Sequence, residues 1–205
     1  MFRKMMGLGV ALALALVLVQ GVFAQVENGK PAPDFTLADS NGRQVSLSQF
    51  HGKYVVLEWL NYDCPFVRKH YSSGNMQDLQ RTYAQKGVTW LAIVSSAPGQ
   101  QGYYAPDEIN RLNKERQSAA TAVLLDPTGQ VGRLYGAQTT PHMFVINPRG
   151  ILVYQGAIDD IRSTNPDDVA QAGNYVSAAL DEAMAGKAVS VPSTKSYGCS
   201  VKYQQ

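Results

Sequence analysis

The hydrophobic pattern of the chain is dominated by short apolar runs that lack the alternation of a half-exposed strand. These runs span residues 54–60, 88–95 and 121–125. A strand without polar alternation is buried on both faces, which is typical of parallel strands in an α/β sheet. The pattern therefore predicts three central strands, the first of which contains a single charged residue, Glu58.

Two hairpins are predicted outside these runs. The first joins residues 34–37 to residues 44–47 around an Asn-Gly pair, a dipeptide typical of tight turns. The second joins residues 143–146 to residues 151–154 across a turn that contains proline and glycine. Both hairpins would add antiparallel strands, so we expect a mixed sheet.

Three stretches are predicted to be helical, the second of them polar. They are residues 65–86 with an interruption near Ser73, residues 106–118, and residues 168–185 with Val169, Ala172, Val176, Ala179 and Leu180 on one face. The order of elements predicts an α/β fold, with a mixed central sheet flanked by helices, an N-terminal β-hairpin and an extended C-terminal tail.

The N-terminus has the pattern of a secretory signal peptide. A basic pair precedes an apolar run over residues 8–19, and small residues suitable for cleavage end at Ala24. The run is shorter than the roughly 20 apolar residues of a membrane span, although an uncleaved anchor is the alternative. We expect residues 1–24 to be removed, leaving a domain over 25–185 and a tail over 186–205, in the periplasm or secreted, with no stable membrane span.

Charge adds little to this interpretation. The chain has 18 basic and 16 acidic residues, and the predicted cleavage removes two basic residues and no acidic ones. The mature charge is therefore 16 − 16 = 0. A neutral chain gives no support for a nucleic-acid partner or an acidic membrane surface.

The candidate chemistry lies in the chain's two cysteines, Cys64 and Cys199. Cys64 follows the first central strand and precedes Pro65 at a predicted helix start. Backbone N–H groups and the helix dipole at such a start stabilise negative charge, so we expect a lowered pKa and a reactive thiolate. Cys199 lies 199 − 64 = 135 positions later. In an oxidising compartment the two thiols are free to pair, and the extended tail from Pro192 to Cys199 can reach about 23 Å.

The neighbours of Cys64 in sequence modify this expectation. Arg68 would share the Cys64 face of a regular helix and favour the thiolate, but an arginine in solvent is an equally good interpretation. Asp63 would disfavour the thiolate. His70 is expected at the surface, and His142 is a candidate for a position nearer the site.

On these features the chain resembles the thioredoxin superfamily, and within it the peroxiredoxin-like and periplasmic thioredoxin-like branch of AhpC/TSA-like redoxins. The resemblance extends over residues 29–185. It rests on Pro33-Asp34-Phe35, the strand that runs into Cys64, the turn at residues 126–129, and Thr140-Pro141-His142-Met143-Phe144.

The resemblance implies a thioredoxin-like fold and roles for particular residues. In the superfamily a cis proline lies against the reactive cysteine, and Pro141, which follows Thr140, matches it. A buried acidic residue assists proton transfer there, and Glu58 matches its position. Independently of the resemblance, a carboxyl group in an apolar strand loses solvation, which raises its pKa towards neutrality, unless Glu58 faces water at a frayed end.

The chain also departs from the patterns that it resembles. Thioredoxins have a second cysteine where this chain has Val67. Peroxiredoxins have a threonine where this chain has Asn61, and an arginine near the position of Pro141 that is missing from this sequence. Cys199 is therefore the candidate partner of Cys64, although a structural disulfide that never cycles is the alternative.

The sequence favours an exported thiol–disulfide oxidoreductase, with Cys64 as nucleophile, Cys199 as resolving cysteine and Glu58 as a third catalytic residue. The residues expected to bind substrate are Asn61, Arg68, Thr140 and Pro141. We expect no cofactor and no metal; the partners would be a protein or small-molecule disulfide and a thiol electron donor. One alternative is a peroxidase, in which Cys64 forms a sulfenic acid that condenses with Cys199. Another is a copper-binding or copper-delivery protein, in which both cysteines and a histidine hold a soft metal.

Overall fold

The structure is a computed structural model that describes residues 26–204. The predicted signal peptide lies outside the described residues. A mixed seven-stranded sheet has the order β2-β1-β5-β4-β3-β7-β8. Its strands are β1 (Thr36–Asp39), β2 (Gln44–Ser46), β3 (Val55–Trp59), β4 (Thr89–Val94), β5 (Ala122–Leu125), β7 (His142–Ile146) and β8 (Leu152–Gly156), and the short β6 (Thr139–Thr140) lies outside this sheet.

The three apolar runs form the parallel centre of the sheet, as predicted. β3 pairs in parallel with β4, and β4 with β5. Every residue of β3 and β4 is buried. Both hairpins are confirmed, because β1 pairs antiparallel with β2 and β7 antiparallel with β8.

Five α-helices complete the part of the fold that residues 26–204 form. They are α1 (Pro65–Ser72), α2 (Asn75–Gln85), α3 (Pro106–Glu115), α4 (Gln130–Tyr135) and α5 (Tyr175–Met184). The predicted interruption after α1 is real, because Gly74 has the left-handed φ of 79° that favours glycine. Side chains of α1, α2, α3 and α5 pack on one face of the sheet, and α4 packs with the N-terminal segment on the other.

The prediction of one helix over residues 168–185 is wrong in its first half. Residues 166–171 form a 3₁₀ helix instead, and α5 begins after Asn174. The side chain of Asn174 caps α5 by accepting the backbone N–H of Ser177 at 2.9 Å. Its backbone pairs with Asp159, and this contact turns the chain away from a continuous helix.

The helix α4 was not predicted, because its apolar pattern covers less than two turns. Its start is fixed by Asp126, a fully buried side chain in the turn after β5. The carboxylate accepts the backbone N–H groups of Val131 and Gly132 at 3.3 and 2.8 Å. A buried carboxylate at the first turn supplies the partners that helix N–H groups need.

The C-terminal tail folds back over the domain. It first runs beside β8, where Thr194 bonds the backbone of Gln155. It then forms the short strand β9 (Cys199–Ser200), which pairs antiparallel with β6. Beyond β9, the Tyr203 hydroxyl donates to the Ala137 carbonyl at 2.7 Å. Between residues 26 and 204, no helix is both long enough and apolar enough to cross a membrane.

Candidate active site

Cys64 lies at the junction of β3 and α1, where the sequence places it. It is the N-cap residue of α1, and Pro65 occupies the first helical position. Its side chain is fully buried, and the thiol donates to the Thr140 carbonyl at 2.9 Å. Cys64 therefore lies at the predicted helix start with its thiol against a backbone carbonyl, and solvent does not reach it in this arrangement.

The tail brings Cys199 to the same place. Pairing between β9 and β6 sets Cys199 opposite Thr140, whose carbonyl accepts the Cys64 thiol. Both cysteines lie within the described residues, and both are thiols here. Partial burial and contact with Cys64 raise the pKa of Cys199 to about 11. Cys199 is therefore protonated at neutral pH when Cys64 is beside it.

Thr140 and Pro141, which the sequence assigned to substrate binding, lie at the end of β6 and directly before β7. Their peptide bond is cis. Thr140 is 2% exposed, and its hydroxyl has no hydrogen-bond partner among the described residues. The backbone of Thr140 thus contacts both cysteine-bearing segments, through β9 and through the Cys64 thiol.

Glu58 is fully buried, so the water-facing alternative is wrong. Its carboxyl group accepts hydrogen bonds from Trp90 Nε1, the Tyr71 hydroxyl and Gln80 Nε2 at 2.8, 3.0 and 3.3 Å. Desolvation by burial outweighs these bonds and raises the pKa of Glu58 to about 7. Tyr71 belongs to α1, so Glu58 is linked to the helix that Cys64 caps.

Asn61 shapes the loop before Cys64. Its side-chain oxygen accepts the Asp63 N–H at 2.8 Å, and its amide donates to the Gln101 carbonyl at 3.2 Å. Its own carbonyl accepts the Cys64 N–H at 3.2 Å. These bonds occupy the side-chain amide that the sequence assigned to substrate.

The Arg68 side chain bonds two residues that precede Cys64. Its guanidinium bonds Asp63 at 3.2 Å and the Tyr62 carbonyl at 3.3 Å, and its side chain is 59% exposed. The Asp63 carboxylate also accepts the Tyr104 hydroxyl at 2.9 Å. Asp63, the acidic neighbour of Cys64, is thus paired with Arg68 and Tyr104.

The sequence missed a buried polar cluster beside α1. We call it the tail clamp, and it consists of Lys69, His70, Asp159 and Tyr197, all at most 7% exposed. His70 was expected at the surface, and that prediction is wrong. No sequence signal marked these residues, because the partners Asp159 and Tyr197 lie about 90 and 127 positions from α1.

His142 lies next to Pro141 but faces the other side of the sheet. Its Nδ1 accepts the Gln138 N–H at 3.3 Å, and its ring contacts Phe144 with centroids 4.5 Å apart. Burial lowers the pKa of His142 to about 4. Within residues 26–204, no three histidine, cysteine or carboxylate side chains are grouped so that they could hold a metal ion.

The AhpC/TSA family model matches residues 28–155, which is more than half of the chain. The chain belongs to the AhpC/TSA family. The match begins before β1 and ends in β8, so it includes Cys64 and Pro141 but not the tail with Cys199. The family and the architecture confirm the thioredoxin-like fold.

Several proteins are similar to this family member. The thiol-disulfide oxidoreductase ResA of Bacillus cereus is 27% identical over 161 residues, which cover 76% of this chain and 86% of that protein. The chloroplastic peroxiredoxin Q of Gentiana triflora is 27% identical over 144 residues, which cover 60% of this chain and 65% of that protein. An uncharacterized conserved protein of Geobacillus kaustophilus has a similar structure, with a TM-score of 0.75 and 27% identity over 88% of this chain and 94% of that one.

Proposed function

We propose that this chain is an exported thiol–disulfide oxidoreductase, in which Cys64 attacks a substrate disulfide and Cys199 resolves the product. One observation carries the proposal: the only two cysteines of the chain, 199 − 64 = 135 positions apart, lie against the same backbone carbonyl region of Thr140. Similarity to ResA supports the reaction class.

The proposed reaction moves two electrons from the protein to the substrate. The Cys64 thiolate attacks one sulfur of the substrate, forms a mixed disulfide and releases the other sulfur as a thiolate. Cys199 then loses its proton and attacks the Cys64 sulfur, which forms the Cys64–Cys199 disulfide and releases the second substrate thiol. A dithiol donor returns two electrons and restores both cysteines.

The charge distribution supports this order of attack. Partial burial is the largest cause of the raised pKa of Cys199 in the reduced protein, and contact with Cys64 adds to it. In the mixed disulfide the Cys64 sulfur carries no charge, so this contribution disappears and Cys199 deprotonates more readily. Cys199 would therefore be a better nucleophile after Cys64 has reacted than before.

Access requires the tail to move. Cys64 is fully buried, and its cover includes the tail residue Cys199. A substrate disulfide reaches the Cys64 sulfur only after β9 has left β6. The backbone of Thr140 would then be open, and Pro141 beside it would border the substrate.

The test combines rapid alkylation with peptide mapping under non-reducing conditions. Reduced wild-type protein mixed with glutathione disulfide should form the Cys64–Cys199 disulfide. Cys199→Ser should stop at the glutathione mixed disulfide on Cys64, whereas Cys64→Ser should accumulate neither product. If Cys199→Ser turns over disulfide at the wild-type rate, the resolving role is wrong.

The reduced wild-type protein can also be used to distinguish the proposed oxidoreductase from a peroxidase. In that reaction peroxide oxidises Cys64 to a sulfenic acid, which condenses with the Cys199 thiol and releases water. Oxidation rates with hydrogen peroxide and glutathione disulfide are compared at equal concentrations. Oxidation by peroxide that is faster by orders of magnitude would replace the proposal with the peroxidase.

Export is tested by expression in a bacterial host with the native N-terminus. We expect the mature protein to begin at Gln25 and to appear in the periplasmic or extracellular fraction. A full-length chain in the cytoplasmic fraction would contradict export.

A further inference from the structure

The tail clamp joins three parts of the chain that are distant in sequence. Lys69 and His70 lie on α1, Asp159 follows β8, and Tyr197 belongs to the tail. All four side chains are buried. Removing a lysine–aspartate pair from water costs free energy that their mutual attraction does not always repay, and hydrophobic residues of similar volume are often as stabilising or more so. Such a pair therefore calls for an explanation beyond stability.

The contacts converge on the Asp159 carboxylate. Lys69 Nζ bonds Asp159 Oδ2 at 3.2 Å, and the Tyr197 hydroxyl donates to Asp159 Oδ1. Lys69 also donates to the Ile161 carbonyl at 2.8 Å. His70 Nε2 lies 3.4 Å from the Tyr197 hydroxyl. The tyrosine hydroxyl is thus held by a carboxylate whose position is set by a lysine on α1.

Residues of the tail clamp lie close in sequence to each of the two cysteines. Cys64 caps α1, which carries Lys69, and Tyr197 stands two residues before Cys199. Between them, Gly198 passes so close to β6 that a Cβ atom there would lie 2.0 Å from the Thr140 carbonyl oxygen. A fixed Tyr197 therefore leaves Cys199 little freedom.

We propose that Asp159 and Tyr197 are positioning residues that hold Cys199 against Cys64. This inference rests on the proposed function and adds the device that sets the resolving distance. Neither side chain is hydrogen-bonded to a sulfur atom within the described residues. Release of the Tyr197 hydroxyl frees β9, uncovers Cys64 and admits substrate, and rebinding returns Cys199 for resolution.

The test is Tyr197→Phe, which removes the hydroxyl and keeps the ring that packs edge-on against Phe66. The matched control is Tyr83→Phe. Tyr83 is 2% exposed and donates to the Ser177 carbonyl of α5 at 3.1 Å, not to a tail residue. Tyr83→Phe loses its bond to the Ser177 carbonyl, whereas Tyr197→Phe loses the bond to Asp159 and the contact with His70, which hold the tail.

Two quantities are measured on the full chain. The first is the rate at which iodoacetamide alkylates Cys64 in the reduced protein. The second is the equilibrium constant for forming the Cys64–Cys199 disulfide with glutathione as redox buffer. We expect Tyr197→Phe to raise the first and lower the second by about tenfold, as for one hydrogen bond to a charged group. Tyr83→Phe should keep the wild-type values.

Wild-type values for both quantities in Tyr197→Phe would overturn the clamp, as would equal changes in the two variants. Melting temperatures are recorded, and each protein is measured at the same interval below its own midpoint. Faster alkylation that results from lower overall stability is then not mistaken for opening of the tail. If alkylation accelerates as expected but no Cys64–Cys199 disulfide ever forms, the clamp stands as a cover and the resolving role of Cys199 fails.

Discussion

Glu58 shows how a single buried side chain couples the site to pH. Its ordinary pKa is 4.5, and burial raises it to about 7. The folded protein therefore retains a proton on Glu58 that the unfolded chain loses between pH 4.5 and 7. The stability associated with this group is present at low pH and is lost as pH rises through that window, by about 3 kcal/mol.

Replacement of Glu58 with Gln should remove this pH dependence. A glutamine resembles the protonated acid, because it can accept from Trp90 and donate to the Tyr71 hydroxyl. We expect equal unfolding free energies for Glu58→Gln and wild type near pH 4.5, and a variant more stable by about 3 kcal/mol near pH 8. Urea unfolding at both values measures it. A constant difference would mean that the carboxyl group does not titrate in this range.

The same substitution addresses catalysis. If Glu58 takes part in proton transfer, Glu58→Gln should slow disulfide exchange at pH 7 by about 10²-fold. The measured quantity is the rate constant for resolution of the mixed disulfide by Cys199 under single-turnover conditions. An unchanged rate would place Glu58 outside the proton path while leaving the stability prediction intact.

His70 has the opposite pH dependence. Burial lowers its pKa from 6.5 to about 4, against the opposing charge of Asp159 and in the same direction as Lys69. Neutral burial of His70 therefore favours the folded state above pH 6.5, and this advantage is lost as pH falls towards 4. Tyr197 and Asn75 are the other groups that contact its ring.

Because His70 packs against the tail, acid should open the tail before the core. We expect the alkylation rate of Cys64, divided by its thiolate fraction, to rise between pH 6.5 and pH 5 in the wild type. The His70→Gln variant should show a smaller rise. The Cys64 thiolate fraction is obtained separately from thiolate absorbance near 240 nm. If the corrected alkylation rate decreases in both proteins as the pH is lowered, protonation of His70 does not open the tail.

At the scale of elements, the sequence correctly predicted the strands and helices that depend on the local hydrophobic pattern. The β3–α1 junction was found because an apolar run, Cys64 and Pro65 adjoin in the chain. The start of α5 was missed because the backbone pairing of Asn174 with Asp159 decides it. His70 was misplaced for the same reason, since helical spacing does not reveal that Tyr197 of the tail covers it.

The pairing of β9 with β6 can be broken at one residue. Gly198 has a φ of 143°, and an added Cβ would meet the Thr140 backbone. Gly198→Ala should therefore dislodge β9 and lower the rate of Cys64–Cys199 disulfide formation by at least tenfold, with the core intact. Stopped-flow alkylation of the free thiols measures the rate.

Gly186→Ala is the control for this substitution. Gly186 also has a positive φ, of 74°, but open space surrounds the position of its Cβ. It should cost about 1 kcal/mol in unfolding free energy and leave the disulfide rate unchanged. Equal effects of the two alanines on the rate would show that backbone strain, and not the contact with β6, is responsible.

At the scale of the whole molecule, the Cys64–Cys199 disulfide would close most of the mature chain into one loop. In the chain-entropy model a loop of this length stabilises the folded state by about 4–5 kcal/mol relative to the dithiol form. Other contacts of the tail remain when the disulfide is reduced, so reduction alone does not remove everything that holds the tail on the domain. Tyr203 and Thr194 hold the tail on either side of Cys199 without involving a sulfur atom.

Reduction should therefore loosen the tail and leave the sheet unchanged. Hydrogen exchange of oxidised and reduced protein measures this, peptide by peptide. We expect amides after Gly186, including Val201 N–H on the Gln138 carbonyl, to exchange at least tenfold faster on reduction. Amides of β3 and β4 should respond only to the global change in stability. Equal tail protection in both redox states would mean that the tail stays docked throughout, and then a substrate disulfide could not reach the buried Cys64 by the proposed route.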